Sequence, residues 1–382
     1  MALRLTYLVS GLNVGGAEMM LYKLLSRIDR TRFEPQVLSM STRGAMGEKI
    51  AALGVQVTPL GFRPGKPNLY GLGQLVLRLR RERPDILQTW MYHADLIGGL
   101  AARMAGGLLV AWGIRSSTLD PQTIKRSTIW TAKACARLSR TIPTRIICCS
   151  EVAREVHARL GYTSEKMVVI PNGFDLCLFR PDPMARAEVR RELNIPAEVP
   201  LIGLVGRLDP QKDHATFFRA AGLLHRHYPD VHYLLCGDGV TWESPNLARW
   251  VEDAGVRERC RLLGYRQDIP RLTAALDIAV LSSAYGDAFP NVVGEAMACG
   301  VPCVVTDVGD SAAIVGETGR VVPPRNPERL AGAMAELVEM GMQDRQALGE
   351  AARKRAEECY SLTSCVTRYE KLYEEMMQPC VA

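Results

Sequence analysis

Two acids, Asp287 and Glu295, are separated by seven intervening residues in the segment running from Ser282 to Gly300. A helix starting near Asn291 would leave Asp287 in the preceding loop and put Glu295 one turn in. The free N–H groups of Val292 and Val293 would then point into the same crevice. A carboxylate beside a helix N-terminus is also an ordinary capping arrangement. Two cations, Arg207 and Lys212, follow the apolar run Leu-Ile-Gly-Leu-Val in Gly206-Arg-Leu-Asp-Pro-Gln-Lys212. A planar fork and a point charge suit a diphosphate; the plainer reading is two solvated surface cations. The loop Gly11-Leu-Asn-Val-Gly15-Gly16-Ala-Glu18 precedes a helix beginning near Ala17, where backbone N–H groups attract anions. A tight strand-to-helix turn would use the same glycines. His93, in Trp90-Met-Tyr-His-Ala-Asp95, sits at the carboxyl end of a further strand, as a binding group or a satisfied edge histidine.

Elements that place these groups alternate along the whole chain. Short apolar β-rich runs, from Leu3–Ser10 to Arg320–Val322, are separated by amphipathic helical patterns. Continuous apolar strands between helices imply parallel sheets covered on both faces. Two such series predict an α/β chain of two doubly wound, Rossmann-like domains. The turn chemistry of Pro-Asn-Gly-Phe-Asp175, with Pro181 and Pro183 beyond it, places the boundary near 178. The expected domains are therefore 1–178 and 179–361. The last segment, 362–382, carries Leu362, Val366, Tyr369, Leu372, Tyr373 and Met376 on one helical face and should pack back on the first domain.

Composition narrows the function. With 382 residues, 47% of them hydrophobic and 23% charged, the chain can fill two cores and is neither disordered nor fibrous. Its apolar runs fall far short of the roughly 20 residues that span a bilayer. The N-terminal run is too short for a secretory signal, and eleven scattered cysteines without metal or redox spacing fit a reducing cytosol. The net charge of +6 hides an asymmetry: residues 1–180 hold 25 Lys and Arg against 12 Asp and Glu, and the remainder is acidic. Arg78, Arg80, Arg81 and Arg83 crowd one helix end, while Lys125, Arg126, Lys133, Arg137 and Arg140 recur at helical spacing near Trp130. Such a basic half implies an anionic partner, and an anionic membrane surface suits it best. Nucleic acid is disfavoured, because neither a recognition motif nor a stacking platform is visible.

The segment Ala288-Phe-Pro-Asn-Val-Val-Gly-Glu-Ala-Met-Ala-Cys-Gly300 resembles the acid-pair region of retaining glycosyltransferase family 4. Further blocks match in family order: Gly15-Gly16-Ala17-Glu18, Ile170 to Asp175, Gly206-Arg207 with Gln211-Lys212, Cys236 to Gly239, Leu263 to Asp268 and Asp307-Val-Gly309. The resemblance implies a GT-B fold, with two Rossmann-like domains facing a cleft. It also implies transfer of a hexose-type sugar, most often from a UDP-sugar, to a hydroxyl of a glycan or lipid-linked acceptor. By the same resemblance, Arg207 and Lys212 neutralise the diphosphate, Glu295 holds the ribose and Asp287 faces the donor sugar. Asn291, Val292 and Val293 meet phosphate or sugar, Gly264 and Tyr265 border the base, and Gly15 and Gly16 close over the donor phosphates or contact the acceptor. His93 lies beside the transferred sugar, and Glu18 and Arg115 fall on the acceptor side. No cofactor is implied, since the nucleotide-sugar is a substrate, and the lack of a D-x-D pattern predicts independence from metal.

The sequence departs from the family pattern at its first acid, which is Asp287 instead of Glu. The carboxylate is kept and its reach shortens by one methylene. A sugar-nucleotide 2-epimerase of the same fold and a catalytically weak nucleotide-sugar-binding relative are the competing readings. A nicotinamide dehydrogenase is disfavoured, because neither half opens with G-x-G-x-x-G. The implied place is the cytoplasm, with the basic half suited to the inner face of the membrane.

Overall fold

The computed structural model of the chain describes residues 2–62 and 69–378. It divides into two compact units, Met1–Gly173 with Leu362–Ala382, and Phe174–Ser361. The division falls a few residues before position 178 for a physical reason. Phe174 donates its N–H to the Tyr360 carbonyl at 2.9 Å, and its ring stacks on Phe289 with centroids 6.1 Å apart, so it belongs to the second unit. Residues 379–382 of the expected C-terminal helix lie outside the described residues.

The first unit runs β1 (Leu3–Val9), α1 (Gly16–Arg27), β2 (Phe33–Ser39), α2 (Gly44–Ala52), β3 (Gln56–Pro59), α3 (Leu69–Glu82), β4 (Ile86–Trp90), α4 (Tyr92–Met104), β5 (Leu109–Ile114), α5 (Arg126–Leu138), β6 (Arg145–Cys148), α6 (Glu151–Leu160) and β7 (Met167–Val169). Its sheet is parallel, in the order β3-β2-β1-β4-β5-β6-β7. The register sets Tyr7 of β1 beside Val37 on one side and Gln88 on the other.

The second unit runs α7 (Pro183–Glu192), β8 (Leu201–Val205), α8 (His214–His225), β9 (His232–Cys236), α9 (Pro245–Asp253), β10 (Cys260–Leu262), α10 (Ile269–Ala274), β11 (Ile278–Leu281), α11 (Asn291–Ala298), β12 (Cys303–Thr306), α12 (Ser311–Val315), β13 (Gly319–Val322), α13 (Pro327–Glu339) and α14 (Gly341–Tyr360). Its parallel sheet has the order β10-β9-β8-β11-β12-β13. The final helix, α15 (Leu362–Met377), returns to the first unit.

Strands such as β4 and β9 are buried at every position, as a sheet covered on both faces requires. In the first unit α15 closes one face: Tyr369, Leu372, Tyr373 and Met376 join Leu5, Tyr7 and Phe33 in one core. Burying side chains of this size contributes roughly 1.5–3 kcal/mol each. The Tyr7 and Tyr373 hydroxyls meet at 3.2 Å, so each has a partner inside the apolar layer.

Both sheets reverse their winding once, between β1 and β4 and between β8 and β11. Loops leaving such neighbouring strands diverge to opposite faces and open a crevice at the carboxyl ends. The residues singled out by their chemistry lie mostly on the loops that leave these four strands.

Candidate functional site

In the second unit the loops after β8 and β11 are stitched together. The Ser282 hydroxyl donates to the Lys212 carbonyl at 2.7 Å, and the Ala284 N–H donates to the Gln211 carbonyl at 2.8 Å. Asp213 holds the end of the first loop in a left-handed conformation (φ 48°) and caps α8 by accepting the Thr216 N–H at 3.1 Å. The main chain of Lys212 is therefore fixed, and only its side chain is free to swing.

That side chain meets Asp287. Lys212 Nζ lies 2.7 Å from Asp287 Oδ2, and the two side chains are 14% and 13% exposed. Asp287 Oδ1 accepts the Gln211 amide at 3.0 Å, and the Ser283 hydroxyl donates to Oδ2. Ser283 is itself held by Thr306, whose hydroxyl donates to the Ser283 carbonyl at 2.7 Å. The Asp287 backbone presses on Gly309, where φ is 59° and an added Cβ would stand 1.8 Å from the Asp287 carbonyl oxygen. Only glycine fits there, which explains the Asp-Val-Gly309 turn beside the acid. Arg207 is more open: its guanidinium donates to Asp209 at 3.1 Å and to Gln211 at 3.2 Å, and its side chain is 55% exposed.

Helix α11 begins at Asn291, so Glu295 stands one turn in, on the wall it shares with Val292, Val205 and Ile269. The Val293 N–H is taken by the Pro290 carbonyl at 3.2 Å. It is thus not the free donor that the sequence alone implies. The Gly264 loop is tied to the β9 loop, with Gly237 donating to the Gly264 carbonyl at 2.9 Å, and Tyr265 is exposed. Beside Lys212, His214 is buried, and burial followed by the charge of Lys212 pushes its pKa down to about 4. It is a neutral imidazole at physiological pH.

In the first unit Gly15 is the extended N-cap of α1, and the Glu18 carboxylate folds back over it. Partial burial raises the Glu18 pKa. His93 lies in the first turn of α4, after Met91, whose backbone sits at φ 79° and ψ 154°. For a residue with a side chain that region costs about 1–3 kcal/mol. It is held by the Met91 N–H donating to Gly113 at 2.9 Å and by Asp95, whose Oδ1 accepts Thr89 Oγ1 at 2.5 Å and the Gly113 N–H at 3.2 Å. His93 is exposed, and partial desolvation holds its pKa below the ordinary imidazole value.

Arg115 is occupied. Its guanidinium lies 3.9 Å from the Trp90 ring centroid, donates to Asn172 at 3.0 Å and reaches the Tyr369 hydroxyl. Of the clustered arginines on α3, Arg78 is paired with Glu82 at 2.8 Å, whereas Arg81 is 79% exposed. Among the described residues no helix is long and apolar enough to cross a membrane.

Asp287 and Lys212 thus meet at one switch point, with Arg207 joined to them through Gln211 and Glu295 one turn along the helix that follows. Gly15, Gly16, Glu18 and His93 lie on the segments that leave the strands of the other. Gln211, Ser283 and Asp95 were not singled out by sequence reasoning. Gln211 belongs to the motif from Gly206 to Lys212, but nothing in its type or spacing marks it as a partner of an acid 76 positions away.

Known proteins resemble this chain in family and in fold. Residues 14–178 match the family described as Glycosyltransferase Family 4, and residues 199–340 match Glycosyl transferases group 1. A UDP-Gal:alpha-D-GlcNAc-diphosphoundecaprenol alpha-1,3-galactosyltransferase of Escherichia coli is 29% identical over 62% of this chain and 61% of its own. A D-inositol 3-phosphate glycosyltransferase of Corynebacterium urealyticum is 32% identical over 56% of this chain, which spans about half (53%) of that relative. The crystal structure of Anabaena HepE in complex with UDP superposes with a TM-score of 0.87 at 22% identity, covering 98% of this chain and all (100%) of that one. The two Rossmann-like units are those of the GT-B fold. The two family matches together take in most of the sequence, and the chain belongs to the group 1 glycosyltransferases of glycosyltransferase family 4.

Proposed function

We propose that the protein is a retaining glycosyltransferase that moves a hexose-type sugar from a UDP-sugar to a hydroxyl of a glycan or lipid-linked acceptor, in the building of cell-surface polysaccharide or glycolipid. The observation that carries this reading is the meeting of Lys212, Gln211 and Asp287 at the β8/β11 switch point, with Arg207 and Glu295 on the adjoining loop and helix. The UDP bound in HepE and the undecaprenol-linked acceptor of the Escherichia coli relative support the choice of donor and acceptor class.

Breaking the anomeric C–O bond puts negative charge on the leaving diphosphate and positive charge on the sugar ring. Arg207 and Lys212 stabilise the first. Glu295 holds the ribose hydroxyls, Asp287 borders the donor sugar, and the backbone at Asn291, Val292 and Val293 flanks the phosphate. Gly264 and Tyr265 border the base, and Gly15 and Gly16 approach the phosphates. His93 stands beside the transferred sugar, with Glu18 and Arg115 on the acceptor side. Configuration is retained by front-face attack, in which the departing phosphate oxygen takes the proton of the acceptor hydroxyl. This scheme needs no metal.

The exposed basic and aromatic residues of α3 and α5 support a peripheral position on the cytoplasmic side of an anionic membrane. The test of the reading is a transfer assay with labelled UDP-sugars and a polyprenyl-diphosphate-linked sugar. A product whose linkage keeps the donor's anomeric configuration supports it. Epimerised donor without transfer, or no turnover with any nucleotide-sugar, rejects it.

A further inference from the structure

We propose that Asp287 is an internal counter-ion of Lys212 that competes with the donor's diphosphate, weakening nucleoside-diphosphate binding and hastening release of the spent nucleotide. The inference rests on the donor-site reading above and adds to it a role for the acid toward the nucleotide, besides its place at the donor sugar.

The geometry supports a lock. Both carboxylate oxygens are engaged: Oδ1 by Gln211 at 3.0 Å, and Oδ2 by Lys212 at 2.7 Å together with Ser283. Ser283 is fully buried and anchored in turn by Thr306 at 2.7 Å, so the acid is held from behind. The Asp287 backbone cannot retreat, because Gly309 is packed against its carbonyl. With one methylene fewer than glutamate, the carboxylate cannot follow the ammonium if Lys212 swings out toward a phosphate. Lys212 must therefore divide its charge between a fixed carboxylate and an incoming anion. The pair is mostly shielded from water, so screening by solvent and salt is weak. A diphosphate that takes Lys212 also approaches an unneutralised carboxylate. Both effects act against anion binding, and removing the carboxylate charge relieves both.

Calorimetric titration of the full chain with UDP tests this, using Asp287→Asn, Lys212→Ala and the double variant. Asp287→Asn should bind UDP about fivefold tighter or more, the direction expected when a lysine loses a competing anion. In the Lys212→Ala background the same substitution should gain much less. Ser283→Ala, which keeps every charge and loosens the anchor, should also tighten UDP and stands in if Asp287→Asn does not fold. Unchanged or weaker UDP binding by Asp287→Asn and Ser283→Ala overturns the proposal, as does loss confined to the UDP-sugar, which would make Asp287 a sugar-hydroxyl acceptor only. If neither wild type nor variants bind UDP, GDP or ADP, the donor-site reading falls and the proposal with it.

Discussion

The guanidinium carbon of Arg115 stands 3.9 Å from the ring centroid of Trp90. The same group donates to Asn172 at 3.0 Å and reaches the hydroxyl of Tyr369 on α15. One cation thus joins the end of β4, the segment after β7 and the returning C-terminal helix. Arg115→Ala removes a planar donor from this half-buried junction and leaves the Asn172 and Tyr369 groups without it. We expect a loss of about 2–4 kcal/mol in urea unfolding of the full chain. Arg115→Lys should recover little, because an ammonium can neither stack on the indole nor serve two acceptors with one plane. Equal stability of all three proteins would reject this brace.

Gly294 meets the ring of Phe174 so closely that an added Cβ would stand 1.9 Å from Phe174 Cε2. The ring cannot yield freely, since it stacks on Phe289 with centroids 6.1 Å apart and edges onto Tyr360. Gly294→Ala therefore has to shift α11, which carries Glu295 on the next residue. Overpacking of this kind costs about 1–3 kcal/mol. We expect a lower unfolding midpoint together with weaker donor binding. Pairing it with Phe174→Leu, which shortens the ring side, should return part of both.

Asp95 is fully buried, its Oδ2 has no partner, and burial raises its pKa to about 8. An acid whose folded pKa lies above its unfolded value holds a proton in the native state that the unfolded chain has already lost. Between the ordinary Asp range near 4 and about 8 the native state therefore binds the extra proton, and this contribution to stability falls as pH rises. Above about 8 it is level. Asn in its place can still accept from Thr89 and Gly113 and carries no titrating group. Asp95→Asn should flatten the pH dependence of unfolding between pH 5 and 8, gaining on wild type toward pH 8. Parallel curves for the two proteins would contradict this assignment.

Periodicity made the scaffold readable. The runs Leu-Ile-Gly-Leu-Val and Ile-Ala-Val-Leu are apolar at nearly every position, because both faces of the sheet are covered, and the structure makes both into central strands. The stripe from Leu362 to Met376 announced a buried face, and every one of its named residues is buried. The strand order was not legible, since pairing is set by where crossovers pass and not by any one residue. Side-chain partnerships were hidden for the same reason. Arg115 carries the same signal in the sequence whether or not its guanidinium lies over Trp90, and that contact is visible only in the fold. The pairing of Lys212 with Asp287 bridges 75 positions and depends on Ser283 and Gln211, whose types mark no chemistry.

Lys212 also yields a prediction about the donor itself. Its ammonium lies on the loop after β8 with its main chain fixed by Ser282, so Lys212→Ala should remove charge without moving the loop. A thermal-shift series with UDP-, GDP- and ADP-sugars should show stabilisation by one nucleotide class. EDTA should leave the shift unchanged, and Lys212→Ala should sharply reduce it. A shift that disappears with EDTA would place a metal between protein and diphosphate. An undiminished shift in the variant would put the donor elsewhere.

The helices α3, α4 and α5 pack side by side in the first unit, and two of them expose related faces. On α5, Arg126, Trp130, Lys133 and Arg137 recur at helical spacing and all are exposed, with Lys133 Nζ 5.5 Å from the Trp130 ring centroid. On α3, Tyr70, Leu77 and Arg81 follow the same spacing, with Tyr70 79% and Leu77 60% exposed. An aromatic or aliphatic residue between cations suits the boundary of an anionic bilayer, where the ring enters the headgroup layer and the cations stay above it. Co-sedimentation with vesicles should show binding that needs phosphatidylglycerol or phosphatidylserine and weakens when salt rises from about 0.1 to 0.5 M, as the Debye length shrinks. Trp130→Ala should weaken it at every salt concentration, since it removes the apolar contribution. Lys133→Glu should act most at low salt, since each cation near such a surface contributes about 1 kcal/mol. Equal partitioning onto neutral and anionic vesicles, or no effect of either substitution, would leave this face a solvated one.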